Sequence, residues 1–224
     1  MTANRQTAGR GRSGRSWSSS PGNLLASLLL RLDCATAVSP QLSFVSALAV
    51  FAAIEAHLPA ATARHLRLKW PNDVLHQDSK LGGILIESSI TAPSTIDFVI
   101  GIGINVASHP GDLARPTTCL AALGATVSVR QLLNGLDLAL QAELRSWNAG
   151  DGFQQTRTRW LDRGTELGAR IAVHSGRDIE RGTFSGLDLD GALLLKADTG
   201  ALRRIGFGDV EVVRPPAGFT AKGD

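Results

Sequence analysis

The sequence has few of the residues that build covalent or metal-based frameworks. Its 224 residues include two cysteines, one methionine and no tyrosine. Cys34 and Cys119 make neither a disulfide framework nor a zinc site, and so few cysteines are typical of a reducing compartment, the cytoplasm. The five histidines show no metal-ligand spacing, which argues against a protein-only zinc site.

Long apolar runs are also scarce. The most apolar stretch, residues 24–32, is much shorter than the ~20 residues of a membrane-spanning helix, and Arg31 interrupts it. We therefore expect no membrane segment and no membrane partner. A composition of 43% hydrophobic and 19% charged residues is that of a globular protein with one large domain, or one large and one small.

Acidic residues are absent from the segment between Met1 and Leu32, which carries five arginines: Arg5, Arg10, Arg12, Arg15 and Arg31. A targeting peptide, a basic arm for nucleic acid and an anion site inside an enzyme would each explain such a segment. Its many glycines, and arginines that do not share one helical face, disfavour a targeting peptide. A secretory signal is not expected, because charged sequence stands where an apolar core would begin.

Apolar periodicity predicts an α+β core in residues 1–165. The expected strands are residues 23–32, 66–69, 84–86 and 98–106. The expected helices open at Ser39-Pro40, at the N-cap Ser128 and near Phe153. A break at residues 92–94 separates the last two strands.

Residues 166–215 are expected to form a small β-barrel. Short strand candidates lie at residues 170–174, 181–187, 192–196, 202–205 and 210–213. Hairpin turns such as Asp190-Gly191 separate them, and closely spaced short strands are typical of a barrel. Residues 216–224 are then a C-terminal tail.

The first motif with chemical meaning is Arg-Gln-Thr-Ala-Gly-Arg-Gly-Arg-Ser-Gly-Arg-Ser-Trp at residues 5–17. Glycines let a backbone approach a ligand closely, and guanidiniums grip phosphate or carboxylate with paired donors. It is not a phosphate-binding loop of the Gly-Lys-Ser/Thr type. Its Gly/Arg composition alone favours a flexible basic loop or an RNA-binding arm, and Trp17 is either an adenine platform or a core anchor.

A second motif, Lys-Trp-Pro-Asn-Asp at residues 69–73, is followed by Lys-Leu-Gly-Gly-Ile at residues 80–84. Asn72 and Asp73 on a proline-fixed turn offer oxygens to a metal or to a nucleophile's proton. Lys80 heads a strand, so its ammonium can point into a cleft. The alternative is a surface turn with a solvated lysine.

The third motif, Gly-Ile-Gly-Ile-Asn at residues 101–105, begins like a dinucleotide fingerprint. No third glycine opens a helix after it, so a glycine strand against which a flat ligand lies is favoured. There is also no Gly-x-Ser-x-Gly elbow of a serine hydrolase.

In this order, the three motifs resemble the biotin protein ligase family, the biotin–[acetyl-CoA carboxylase] ligases. The resemblance covers Thr7 to Val106 most strongly and continues more weakly to Gly186–Leu193, which is similar to the family's turn before its last strands. It implies a catalytic domain like those of class II aminoacyl-tRNA synthetases over residues 1–165. It also implies a barrel like that of Src-homology-3 domains over residues 166–215.

The resemblance implies an activity in two steps. Biotin's carboxylate attacks the α-phosphate of ATP to give biotinyl-5′-adenylate, and a lysine of a biotin carboxyl carrier domain then takes the biotinyl group. ATP and Mg²⁺ are co-substrates, and no prosthetic group is expected. The carrier could dock by edge pairing along a strand such as residues 84–90, and the protein is expected to be a monomer or a homodimer.

The resemblance also implies roles for individual residues. The catalytic residues would be Lys80, Arg12 and Asp73. The biotin-binding residues would be Gln6, Arg10, Gly11, Arg12, Lys80, Gly101 and Gly103. The ATP-binding residues would be Arg15, Trp17, Lys69, Asn72 and Asn105. Asp73 would also ligate Mg²⁺, and residues 9–16 would close as a lid, since a mixed anhydride must be kept from water.

The sequence departs from the family pattern at its start. A strand and a Ser-Thr-Asn segment that contacts biotin's ring precede the position of Gln6 in the family, and this sequence has neither. The optional DNA-binding winged helix is missing too, so we expect a short form with no DNA partner. Ser13 stands where many relatives carry a basic residue.

These departures leave other functions open. A truncated, catalytically impaired protein that binds biotin is the main alternative. An RNA-binding module is disfavoured by the lack of aromatic residues among the arginines, and a lipoate ligase by the arginine loop.

Overall fold

Two five-stranded antiparallel sheets organise the chain in a computed structural model that describes residues 1–111 and 115–213. The expected tail, 216–224, and the end of the expected barrel, 214–215, lie outside the described residues.

The first sheet has the order β1-β5-β4-β3-β2. Its strands are β1 (Leu24–Asp33), β2 (Leu66–Lys69), β3 (Asp73–His76), β4 (Ser79–Ala92) and β5 (Thr95–Ile104). The expected strand at residues 84–86 is only part of β4. It is longer because Ser88, Ser89 and Ile90 stay in register with β5 up to the turn at residues 92–95, although their polar pattern indicates no strand.

The described α-helices are α1 (Leu42–Glu55), α2 (Ala60–Ala63), α3 (Val129–Trp147) and α4 (Phe153–Arg163). Of these, α1, α3 and α4 pack on the sheet and on each other. The expected N-cap of α3 is confirmed, since Ser128 Oγ accepts the Gln131 N–H at 3.2 Å in a capping box. The expected start of α1 at Ser39-Pro40 was wrong, because Thr36–Gln41 forms a 3₁₀ turn and the α-helix begins at Leu42.

Helix α1 belongs to an apolar stretch longer than residues 24–32, which the sequence analysis took as the most apolar. By length and composition, Thr36–Glu55 could cross a membrane. It is therefore this stretch, and not residues 24–32, that bears on the expectation of no membrane segment. Within the structure, 67% of its apolar window is buried. The stretch packs between the sheet, α3 and α4 as the central helix of the core.

The second sheet has the order β10-β6-β7-β8-β9. Its strands are β6 (Arg170–Ser175), β7 (Asp178–Leu187), β8 (Leu193–Ala197), β9 (Leu202–Ile205) and β10 (Asp209–Val212). The five strands were all expected, and β7 begins three residues earlier because its hairpin with β6 starts at the turn after Ser175.

Buried contacts attach the second sheet to the first. Trp70 Nε1 donates to the Gly191 carbonyl at 3.2 Å. A Cβ on Gly191 would lie 2.6 Å from the Phe44 ring, and Gly191 has a φ of +92°, so glycine is needed there for both reasons. The junction fixes the last strands over the arginine loop.

Besides the outer side of β2, the first sheet leaves strand edges without a described partner on β1 and on β4. Residues 1–3 cover the start of β1, because Ala3 N donates to Leu25 O at 3.1 Å and Ser27 N to Met1 O at 2.9 Å. Beyond them, no described strand pairs with the outer side of β1. On β4, Ile84 N donates to Asn72 O, and no described strand pairs with that side of the following residues, 86–90.

Candidate active site

A cavity of about 1300 Å³ opens between the two sheets. Its walls come from the first loop, β1, β3, β4, β5 and the last strand, β10. The structure brings together around it all of the expected site residues except Asn105: Gln6, Arg10, Gly11, Arg12, Arg15, Trp17, Lys69, Asn72, Asp73, Lys80, Gly101 and Gly103.

A buried ion cluster forms one wall of the cavity. Lys80 Nζ donates to Asp73 Oδ1, while Asp73 Oδ2 lies 3.0 Å from Arg115 Nη1 and 3.4 Å from Lys69 Nζ. The β3–β4 hairpin brings Asp73 and Lys80 together, and its register shifts between Val74 and Leu75. Gly83 leaves room for the ammonium, since a Cβ there would lie 3.0 Å from Lys80 Nζ.

The cluster shifts the protonation of both of its central groups. Burial by itself would raise the pKa of Asp73, but the charges of Lys80, Lys69 and Arg115 outweigh burial and lower that pKa to about 2. Burial lowers the pKa of Lys80 to about 8, although Asp73 acts to raise it. Three cations therefore face one carboxylate, and the excess positive charge suits an anionic ligand.

The expectation that Asp73 ligates Mg²⁺ does not fit this arrangement. Both of its oxygens already contact cations, so a divalent ion there would lie beside three positive charges. Across residues 1–111 and 115–213, no group of three or more His, Cys, Asp or Glu side chains could hold a metal ion. Asp73 instead serves as the counter-ion that fixes Lys80.

The indole of Trp17 lies inside the cavity against β5. A Cβ on Gly103 would be 2.5 Å from Trp17 Cζ2, so only glycine allows the ring to approach this closely. Lys80 Nζ is 5.4 Å from the centroid of the same ring, a cation–π distance. Trp17 is thus a wall of the site, and its ring lies against Gly103, where the sequence predicted a flat ligand.

The arginine loop, residues 9–16, contacts the start of the last strand of the second sheet. Arg12 Nη1 donates to Gly208 O at 3.1 Å and lies 3.4 Å from Asp209 Oδ1. Arg15 Nη2 is 2.8 Å from Asp209 Oδ2. The Arg12 guanidinium also lies 5.2 Å from the centroid of the Phe207 ring. The last strand is therefore part of the site.

The two asparagines differ in position. Asn72 lines the cavity: its Nδ2 donates to Ile84 O, and its Oδ1 accepts from Arg12 Nη1 at 3.4 Å. Asn105 is buried outside the cavity lining, because its Nδ2 donates to Thr118 O at 3.0 Å. Asn105 fixes the backbone next to the site and does not line it.

Sequence reasoning missed Arg115 and Asp209. No motif marks Arg115 in the sequence. It reaches Asp73 because Lys80 forms a parallel bridge with Thr117, two residues further along the chain. Asp209 follows Phe207-Gly208 at the start of the last strand. Only the packing of the second sheet over the loop reveals that this acid faces Arg12 and Arg15.

Two family models match the chain in the regions that form this site. Residues 1–105 match the biotin/lipoate A/B protein ligase family, and residues 167–213 match the biotin protein ligase C-terminal domain. The chain is 37% identical over 209 residues to the biotin–[acetyl-CoA-carboxylase] ligase of Paracoccus denitrificans, which covers 89% of this chain and 85% of that protein. The chain belongs to the biotin protein ligase family.

Other members of the family give the same picture. The bifunctional ligase/repressor BirA of Bacillus subtilis is 31% identical over 95% of this chain, which spans 65% of the length of that protein. The structure superposes on the biotin protein ligase of Aquifex aeolicus in complex with biotin and ATP with a TM-score of 0.77 and 28% identity, covering 96% of this chain and 88% of that one.

Proposed function

We propose that the chain activates biotin with ATP and transfers it to a lysine of a biotin carboxyl carrier domain. An oxygen of biotin's carboxylate bonds to the α-phosphorus of ATP, the bond to pyrophosphate breaks, and biotinyl-5′-adenylate forms. The carrier's amine then attacks the acyl carbon, loses a proton, and AMP leaves. The observation that carries this proposal is that Arg10, Arg12 and Lys80 line one cavity in a member of this family.

The cations stabilise the charge that the first step gathers at phosphorus. Lys80 enters the reaction already placed, because Asp73 holds its ammonium and Gly83 leaves space around it. Arg12 and Arg10 approach from the loop on the opposite wall and neutralise the carboxylate and the α-phosphate. Asp73 acts through Lys80 and is therefore a positioning residue.

Biotin binds along the sheet beside the loop. Gln6, Gly11 and Gly101 line that part of the cavity, and Gly101 lets a flat ring approach β5. Gly103, also expected to bind biotin, contributes by letting the Trp17 indole lie against the strand beside it.

ATP binds on the side of Trp17, Arg15, Lys69 and Asn72, which line the same cavity. Asn105 acts only through the backbone that it fixes. We propose that Mg²⁺ enters with the phosphates of ATP, as part of the substrate, since Asp73 offers it no uncommitted oxygen.

The loop at residues 9–16 closes over the bound adenylate. It is already a compact turn, since Gly11 N donates to Arg15 O at 2.7 Å and Trp17 N to Gly9 O at 2.9 Å. Its Arg15–Asp209 contact is largely exposed and its Arg12–Asp209 contact is part-buried. An anionic ligand in the cavity competes directly for the same guanidiniums. Closure keeps water from the mixed anhydride.

We further propose a division near residue 165 between a catalytic domain of the class II synthetase type and a C-terminal barrel like that of Src-homology-3 domains. The gap between α4, which ends at Arg163, and β6, which begins at Arg170, supports it. The C-terminal domain supplies Asp209 to the site, so the two parts act together.

The carrier domain docks on the open side of β4. Residues 86–90 leave backbone groups on that side without a described strand partner, and an incoming strand can pair with them. The same edge would serve a homodimer. We propose that the protein works in the cytoplasm as a monomer or homodimer.

One assay tests the function. The purified chain is mixed with biotin, ATP, Mg²⁺ and an apo carrier domain, and the carrier is probed with streptavidin. We expect ATP-dependent labelling of the carrier lysine. Biotin binding without any labelling would instead support the alternative of an impaired binding protein.

A further inference from the structure

A second cavity lies directly behind the arginine loop. It has a volume of about 270 Å³ and shares Arg12, Asn72, Ile84 and Leu85 with the main cavity. Arg12 Nη1 and Asn72 Oδ1 are 3.4 Å apart, and both residues line both cavities. This contact therefore lies between the groove and the main cavity. This groove leads from the surface to the point where we place the α-phosphate.

The walls of the groove are mainly apolar. Phe44, Trp70 and Ala192 are buried, and Pro71 and Ile86 are half-buried around it. Such walls suit a chain of methylene groups, which lose no hydrogen bond when they leave water. A nucleotide or a second biotin would bring polar groups that these walls leave unsatisfied.

The outer rim of the groove carries one carboxylate, Asp190. It contacts Arg204, which also contacts Asp188 outside the groove. The inner end has the opposite sign, because Arg12 closes it. A primary amine is attracted as a cation at the rim, and the guanidinium favours its neutral, nucleophilic form at the inner end.

The groove is continuous with the open edge of β4. Ile86 belongs to both, as a wall of the groove and as the first residue of the edge that has no described strand partner. A protein strand paired along residues 86–90 would therefore have the groove beside it. Because the groove lies beside an edge where a protein strand can pair, we infer that its occupant is a side chain of that protein.

We propose that this groove is the passage by which the acceptor lysine reaches the adenylate. The proposal rests on the ligase function proposed above and adds the route of its second substrate. Four methylene groups of the lysine lie between Phe44, Trp70 and Ile86, and the amine passes the Arg12–Asn72 contact to attack the acyl carbon. Arg12, once it is bound to the phosphate, opens that contact.

Ser43 offers a way to block the groove from outside the main cavity. It lies in the first turn of α1 and is half-buried. It lines the groove but does not line the main cavity. Ser43→Met fills the groove with an unbranched apolar chain that a helix tolerates. The matched control is Ala52→Met, which adds the same side chain to an exposed position of the same helix.

The measurement separates the two steps. Biotin-dependent ATP–pyrophosphate exchange reports adenylate formation, and single-turnover transfer from preformed adenylate to the apo carrier reports aminolysis. We expect Ser43→Met to lower transfer by about tenfold or more relative to exchange, since a displaced nucleophile is costly. Discharge by hydroxylamine, which needs no groove, should follow exchange. Transfer that falls no further than exchange overturns the proposal.

A second variant decides the question if Ser43→Met folds poorly. Asp190→Asn keeps the shape of the rim and removes its charge, and we expect KM for the carrier to rise about threefold or more, with less change at high salt. Asp198→Asn is the control, because Asp198 is another exposed, arginine-paired acid in a hairpin turn of the same sheet. An unchanged KM in Asp190→Asn overturns the proposal. Absence of exchange in the wild type would instead contradict the ligase function itself.

Discussion

Two carboxylates hold the cations of this site, and they do so in opposite ways. Asp73 has 8% of its side chain exposed and contacts Lys80, Lys69 and Arg115 within the catalytic sheet. Asp209, on the second sheet, has 37% of its side chain exposed, and its ion pairs within the described part of the chain are with the loop arginines Arg12 and Arg15.

The difference separates a permanent contact from an exchangeable one. A buried carboxylate loses little strength to salt and water, so Asp73 fixes Lys80 before any ligand arrives. An exposed carboxylate competes on similar terms with an incoming phosphate, so Asp209 holds the loop only until the substrate replaces it. The site thus combines one rigid cation with a movable pair.

The largest effect on stability is expected from Asp73→Asn. Removing one partner of a buried ion cluster leaves its cations without a counter-ion, which costs roughly 3–5 kcal/mol of unfolding free energy. Chemical denaturation measures it. Asp97→Asn breaks the exposed pair with Arg31, 2.6 Å long, and should change stability far less. Equal losses in the two variants would remove the contrast between buried and exposed carboxylates.

The dependence of stability on acid pH also tests whether Asp73 is a buried, ionised counter-ion. The folded pKa of Asp73, about 2, lies below its ordinary value, so the ionised carboxylate stabilises the fold at pH values above about 4. That stability is lost as the pH falls towards 2. Asp73→Asn should lack this part of the acid limb, and an unchanged limb would contradict the assignment.

The next effect concerns the charge of Lys80. Because burial lowers its pKa to about 8, the free enzyme should lose its rigid cation as the pH rises through that value. We expect kcat/KM for ATP in the exchange reaction to fall about tenfold per pH unit above about 8. Lys80→Arg should be slower at pH 7 but lack this alkaline fall, since arginine stays charged. A fall that persists in Lys80→Arg belongs to another group.

Gly103→Ala tests the position of the Trp17 indole. The added Cβ would lie 2.5 Å from Trp17 Cζ2, so the ring must leave the strand, and such overpacking typically costs about 1–3 kcal/mol. We expect KM for ATP to rise about tenfold, together with a change in tryptophan fluorescence. Gly135→Ala adds a methyl group in open space on α3 and serves as the control. Unchanged fluorescence and KM would place the indole elsewhere.

The smallest effect is expected from Asp209→Asn. Loss of an exposed ion pair should free the loop, and trypsin should cleave at Arg12 or Arg15 about two- to fivefold faster. High salt should give the wild type a similar rate, because it screens the same contact. Glu211→Gln is the control, since Glu211 contacts His174 at 3.2 Å and not the loop. Equal cleavage in the variant and the wild type would show that the second sheet does not hold the loop.

The sequence predicts the elements of this site better than its contacts. Turn residues and apolar periods locate β1, α3 and the five strands of the second sheet, because these signals are local. The second half of β4 escapes them, since pairing with β5 outweighs its polar pattern. Arg115 and Asp209 escape them as well, because their partners lie 42 residues away for Arg115 and 197 residues away for Asp209, distances at which no local pattern carries information.

The proposed adenylation step depends most on the charge of Lys80. Biotin-dependent ATP–pyrophosphate exchange in Lys80→Met is the direct test of that dependence. Methionine keeps most of the apolar stem of the lysine and removes its terminal ammonium, with the charge and the hydrogen bond to Asp73. We expect exchange to fall about 10²–10³-fold while the chain stays folded, because a placed group that stabilises the transition state is lost. Exchange at the wild-type rate would contradict it.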